Sequence, residues 1–179
     1  MAGASTQATR IARGKADAEK IFPILKEKFG DAIVEEVTDT VDPFVVVETA
    51  KLYEIARFVR DEEELYFDLL SVISSVDYLP KDDVEGRIEV VYCLDSTKHL
   101  HRLIIKVYLP RENPSVASVE KLWKAADWHE RETFDLMGVH FEGHHNLIRI
   151  LCAEDWEGHA LRKDYEIPER YHGIKNIVY

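Results

Sequence analysis

Cysteine is scarce in this chain of 179 residues: there are two, Cys93 and Cys152, and they form no close-spaced pair. That argues against a cluster-binding or redox motif. Cys93 lies in an apolar alternation and Cys152 follows an apolar run, so both are expected as buried thiols. Long apolar stretches are missing too. Without a run of about 20 apolar residues no segment is expected to span a bilayer, and the opening MAGASTQATRIARG has no apolar signal core, so secretion is not expected. GxGxxG and GxxxxGK[ST] are both absent, which removes the usual nucleotide cradles. Neither a nucleophile elbow nor a catalytic-cysteine context is present. Positive charge is short: 23 Lys and Arg stand against 34 Asp and Glu, a formal net charge of -11. Such a balance suits a phosphate-tracking nucleic-acid binder poorly, although a local basic patch can still serve a protein partner.

What is present is the balance of a globular protein, with 46% hydrophobic and 32% charged residues, long enough to bury roughly two-thirds of its unfolded surface without a metal or disulfide. After a leader over 1–15, expected to be flexible, Ile21, Ile24, Leu25 and Phe29 give the three-and-four spacing of an amphipathic helix from Ala16, stopped by Gly30. Ile33–Val37 and Phe44–Val47 read as short strands, and Lys51–Arg60 as a second helix burying Leu52, Ile55, Ala56 and Val59. The acidic run Asp61–Glu64 reads as solvated surface. Leu65–Tyr78 is apolar but ambiguous in period. RIEVVYCL (87–94) and HRLIIKVYL (101–109) are the clearest strands, joined by the turn formers DSTKH. Together these predict an α+β fold, N-terminal helices packed on a mixed or mainly antiparallel sheet. Val119, Leu122, Trp123, Ala126 and His129 keep a helical register that starts near Ser118, runs through Met137 and ends at Gly138. The α+β domain then covers 16–137, and 138–179 forms an extended, irregular C-terminal segment that needs a surface to lie against.

The segment Asp127–Tyr165 concentrates the ionisable and aromatic residues. On the helix, Arg131 and Asp135 are four apart and are expected to form an intrahelical ion pair. Glu130, Glu132 and Asp135 invite an acid/base reading, but no nucleophile or pocket is implied beside them, and a structural or interface role fits better. His140, His144, His145 and His159, with Asp135 or Glu142, could be assembled into a metal shell. Gly138 and Gly143 nevertheless break the stiff helix that an HExxH-type site uses, and imidazole hydrogen bonding is the simpler account. Trp123, Trp128 and Trp156 divide between core and interface, with at least one expected at an interface. Arg149, Arg162 and Lys163 supply cations suited to carboxylates of a partner.

ERETFDLMGVHF, GHHNL, RIL and EDWEGHALRKDY, in this order and spacing, resemble the signature of the C subunit of the proton-pumping NADH-quinone oxidoreductase, respiratory complex I. Relatives in membrane-associated dehydrogenases and hydrogenases share it. The resemblance is sharpest over 128–165 and extends backward through FDLLSVISSVD (67–77) to most of the chain. It assigns Glu130, Arg131, Glu132, Asp135, Gly138 and Phe141 to the signature helix and its exit. Gly143, His144, Leu147, Arg149, Leu151, Asp155, Trp156, Gly158, Leu161, Arg162, Lys163, Asp164 and Tyr165 follow in the tail, all as structural and assembly determinants. His145 and Ala160 stand where proline is common, Asn146 where aspartate is, and Ile148 where arginine is, which leaves two turns less pre-set. The resemblance implies no catalytic residue, cofactor or metal on this chain; iron-sulfur clusters, FMN, NADH and quinone belong to partner subunits. Its implied partners are the large quinone-site subunit and the subunit that holds the terminal iron-sulfur cluster, in a peripheral arm on the cytoplasmic face of the bacterial membrane. It further implies the separate form rather than the one fused to the quinone-site subunit, and Arg162 is expected to pair with a buried carboxylate. An equivalent subunit of a related dehydrogenase or energy-converting hydrogenase is the alternative.

Overall fold

The computed structural model describes residues 2–82 and 84–176, the side chains of 2–10 excepted. Helix α1 spans Ala2–Phe29, so helix covers most of the stretch read as a leader and begins well before Ala16. Its buried residues Ala18, Ile21, Phe22 and Leu25 recur at three and four, the stripe an amphipathic helix needs. Strands β1 (Ile33–Val37) and β2 (Phe44–Val47) form an antiparallel pair. Helix α2 (Leu52–Asp61) buries Leu52, Ile55, Ala56 and Val59, as its spacing predicts. The acidic residues from Asp61 to Glu64 are half-buried or exposed.

Strands β3 (Leu69–Tyr78), β4 (Arg87–Asp95) and β5 (Arg102–Pro110) complete a five-stranded sheet of order β1-β2-β5-β4-β3. Only β2 and β5 run parallel; the other pairings are antiparallel. The fold is therefore α+β with a mixed, mainly antiparallel sheet. In the β4–β5 register Ile88 lies opposite Leu109, Val90 opposite Val107, Tyr92 opposite Ile105 and Leu94 opposite Leu103. All eight side chains are buried on one face, where they join the buried stripes of α1 and α2 in one core. Cys93 falls on the opposite parity and is half-buried, as is Cys152, so the expectation of two buried thiols is corrected. The pleat decides this for Cys93: a residue flanked by two core positions of a strand must point the other way.

Helix α3 spans Ala126–Met137 and packs on β3, the edge strand, which limits access to that edge. It starts later than the register from Ser118 suggests. Residues 119–125 form successive turns, Leu122 and Trp123 N–H donating to Val119 O and Ala126 N–H to Trp123 O, which keep a three-to-four spacing without a helix. Gly138 ends α3 in the left-handed region at φ 73°. Beyond it β7 (His140–Glu142) pairs in parallel with β6 (Ser115–Ala117), seating Phe141 opposite Val116 in the core. After Phe141 the character changes. From Glu142 to Asn176 no residue is fully buried, and a two-stranded turn, β8 (Arg170–Tyr171) with β9 (Ile174–Lys175), is the only regular element. Among the described residues no helix is long and apolar enough to cross a membrane.

Candidate functional site

The last turn of any α-helix exposes carbonyls without intrahelical partners, and here the C-terminal segment supplies them. Phe134 O accepts from Gly138 N–H at 2.9 Å. Asp135 O accepts from Arg149 Nη1 at 3.2 Å and contacts His159 Nδ1 at 3.0 Å. Leu136 O accepts from Leu161 N–H at 3.0 Å, and Met137 O from Arg162 Nε at 2.9 Å. Two of these donors are arginines, whose charge also suits the negative end of the helix dipole. A side chain at position 138 would place its Cβ 2.5 Å from His159 Cδ2 and 2.9 Å from Arg162 Nη2. Glycine is thus required twice there, for the backbone angle and for the close approach of the tail.

The Asp135 carboxylate is the main fastening. Oδ1 accepts from Arg149 Nη1 at 2.8 Å, and Oδ2 accepts the backbone N–H groups of Ile150, Leu151 and Cys152 at 3.0, 2.7 and 2.9 Å. Burial alone would raise the pKa of this carboxyl. The three N–H bonds and Arg149 outweigh that and hold it at about 2. The expected Arg131–Asp135 pair is therefore corrected: a distant arginine and three backbone donors satisfy Asp135 better than one helical neighbour can. Arg131 instead donates from Nε to Ile148 O at 3.3 Å and lies over the Trp128 ring, 4.9 Å from its centroid.

A second fastening involves residues that sequence reasoning missed. Asp77, buried at the end of β3, accepts from Arg111 Nε at 2.7 Å, Arg111 Nη2 at 3.0 Å and Lys163 N–H at 2.9 Å. Arg111 also binds Asp164, donating from Nη1 to Oδ2 at 3.0 Å, so one guanidinium joins the sheet to the tail. Asp77, with Asp164, raises the pKa of Arg111, while Arg111 lowers that of both carboxyls. A partial signal for Asp77 exists in the sequence: a carboxylate that closes an apolar run needs a cation once it is buried. Arg162, expected to pair with a buried carboxylate, bonds the Met137 carbonyl, and Arg111 takes Asp77.

At the start of α3 a buried network holds the preceding turn. Glu130 accepts from Ser118 Oγ at 2.6 Å and Val119 N–H at 2.7 Å. Desolvation pushes its pKa up to about 7 against the pull of those two bonds. Glu120, Asp127, His144 and His145 place four potential ligand atoms within 4.8 Å of one another. Their bonding argues for a lock rather than a metal centre. Asn146 N–H donates to His144 Nδ1 at 3.0 Å, which puts the ring proton on Nε2, directed at Asp127 O at 3.2 Å. A metal on Nε2 would need the proton on Nδ1 instead, where that amide already points. His145 contacts both oxygens of Glu120, through its backbone N–H at 3.0 Å and through Nδ1 at 2.6 Å. The backbone half of that clamp is one that a proline at position 145 could not make.

The remaining signature residues spread over the surface. Glu132 is exposed on α3, along a groove shared with Val72 and Leu136 of the β3–α3 contact. Gly143 turns the chain at φ 83°, and Gly158 O accepts from Arg149 Nη2 at 3.0 Å. Leu161 is 60% exposed, and Lys163 Nζ lies 5.6 Å from the Tyr78 ring centroid. Asp155, Trp156 and Tyr165 gather with Tyr171 around a separate cavity. Of the tryptophans, Trp123 is in the core with its indole N–H on Phe67 O at 2.9 Å, whereas Trp128 is 62% exposed. What the groups around the end of α3 do chemically is hold a strap on a helix end.

The family model of the respiratory-chain NADH dehydrogenase 30 kDa subunit matches residues 45–171. Over 159 residues the chain is 45% identical to the NADH-quinone oxidoreductase C subunit of Chloroherpeton thalassium, spanning 88% of this chain and 64% of that relative's length. It is 44% identical to the corresponding protein of Chlorobium phaeobacteroides over 86% of this chain and 92% of the relative. Among solved structures, a trypsin-resistant fragment of Nqo5 superposes with a TM-score of 0.58 at 30% identity, covering 71% of this chain and 98% of the fragment. A chain of an archaeal membrane-bound sulfane sulfur reductase shares the fold, with a TM-score of 0.68 at 24% identity over 83% of this chain and 85% of that one. Sequence and fold thus point the same way over the body and most of the strap, and the chain belongs to the family of the respiratory-chain NADH dehydrogenase 30 kDa subunit.

Proposed function

We propose that this chain is a non-catalytic, peripheral-arm subunit of an NADH-quinone oxidoreductase, on the cytoplasmic face of the bacterial membrane. It holds the large quinone-site subunit and the terminal-cluster subunit in register, while NADH, FMN, the iron-sulfur clusters and quinone are bound by partner subunits. Electrons then pass from NADH to quinone, coupled to ion translocation, without a reactive group from this chain. The observation that carries the reading is the composition of the strap. It is tied to α3 and β3 by polar bonds, yet it presents Ile148, Leu151, Leu161 and Ile167 to solvent at 52 to 62% exposure. Exposed apolar side chains on a fastened segment suit a docking surface.

Hydrogen exchange on the free chain, and on the chain co-expressed with those two subunits, tests this. Added protection between residues 142 and 176 in the assembled state is expected. Amides already fully protected in the free chain, with no change on mixing, would sink the docking role.

A further inference from the structure

The strap holds a cavity of about 350 Å³, whose lining includes Asp155, Trp156, Glu157, Tyr165, Glu166 and Tyr171. Its aromatic wall is continuous: Trp156 lies 6.4 Å from Tyr165 and 5.1 Å from Tyr171 between ring centroids, and Tyr171 lies 4.3 Å from His172. Three carboxylates and one arginine line it, a local excess of negative charge. Asp155 is already engaged, accepting from Tyr171 Oη at 2.8 Å and meeting His172 Nε2 at 2.7 Å. These contacts brace the rings and lower the Asp155 pKa. Glu157 and Glu166 are different. Both are exposed, and among the described residues neither makes a hydrogen bond or ion pair. Arg170, the one Lys or Arg in the lining, reaches Gly173 O at 3.5 Å rather than either glutamate.

From the docking role proposed above, on which this rests, we infer that the cavity is a socket for an arginine side chain presented by a partner protein of the complex. Aromatic faces attract a cation through their quadrupole, and unpaired carboxylates beside them add charge complementarity. Arginine suits the socket better than lysine because its flat guanidinium stacks on a ring while its fork of donors meets carboxylates at the edge. The indole N–H of Trp156 is buried without an acceptor. A backbone carbonyl brought in with the arginine would relieve that donor after a small ring shift, which a free cation could not do.

The test uses the complex extracted from membranes with this chain in its full length. Glu157→Gln with Glu166→Gln removes two charges from the socket; Glu154→Gln with Glu169→Gln removes two exposed charges from the same strap outside it. At a fixed, moderately high salt concentration the socket pair is expected to raise release of this chain by roughly tenfold, or to prevent assembly, while the control pair behaves as wild type. Equal behaviour of the two pairs would overturn the socket. A photo-crosslinking aromatic amino acid in place of His172 supplies an independent reading in the otherwise unaltered chain. Its adduct is expected on a partner peptide that contains arginine within a few residues of the attachment point, and attachment to a segment without one overturns the assignment. Should the chain co-purify with its complex while both glutamine pairs behave alike, the docking role stands and the socket falls. Should it not co-purify at all, both fall together.

Discussion

The sheet with α1 and α2, and the strap after Phe141, are stabilised by different physics within one chain. The first buries aliphatic side chains in register across β4 and β5 and along two helical stripes. The second has no fully buried residue from Glu142 to Asn176, and its course follows the orphan carbonyls of α3 and the carboxylates of Asp135 and Asp77. Non-directional burial sets a stable body, whereas directional bonds set a path. The strap is therefore expected to open at a lower free-energy cost than the body.

Damage to the body should have the largest effect. Ile105→Ala empties a site that is 1% exposed between Tyr92 and the helices, and a loss of roughly 2–5 kcal/mol in global stability is expected by chemical denaturation. Retention of full stability would mean that the sheet is not the stabilising unit. Glu130, which holds the turn before α3, gives the next largest effect. Its pKa is raised from an ordinary 4.5 to about 7 in the folded chain, so the folded state holds a proton that the unfolded state has lost. Stability should accordingly fall as pH rises from about 4.5 towards 7, by about 3 kcal/mol, and Glu130→Gln should flatten that fall. The opposite slope in the wild type would show that the buried carboxyl is ionised throughout.

Asp135 should give the smallest change in global stability and the sharpest local one. Asp135→Asn is expected to cost about 2 kcal/mol, expressed as faster exchange of the Ile150, Leu151 and Cys152 amides with little change in the sheet. In the wild type the contribution is present above the ordinary carboxyl pKa of 3.8 and fades as pH falls towards about 2. The three amide proton resonances of the folded chain should titrate with a midpoint near 2. Equal acceleration in β4 and β5 would merge strap and body into one cooperative unit.

The body is legible in the sequence because burial writes a period. The helix stripes of α1 and α2 and the alternation of β4 and β5 are visible one residue at a time. β3 is ambiguous for a physical reason. Its register shifts between Leu70 and Val72, so the buried positions Leu70, Ile73 and Asp77 do not alternate. The turns at 119–125 mislead in the opposite direction, mimicking a helical spacing. For the strap, family likeness marks the residues but not their partners, since Asp135 with Arg149 and Asp77 with Arg111 are tertiary contacts that periodicity does not encode. The local rule for charges four apart names Arg131, and the fold chooses Arg149.

The clamp of Glu120 by His145 bears on inheritance. Its two bonds come from one residue, one of them from a backbone N–H. A proline at position 145 abolishes both at once and leaves the Glu120 carboxylate, largely shielded from water, with His144 Nε2 at 3.5 Å. Substitutions at these two sites should consequently be linked. Lineages with a carboxylate at 120 are expected to avoid proline at 145, and a proline there should be accompanied by loss of the acid. Placing proline at 145 while Glu120 is kept would expose the incompatibility directly.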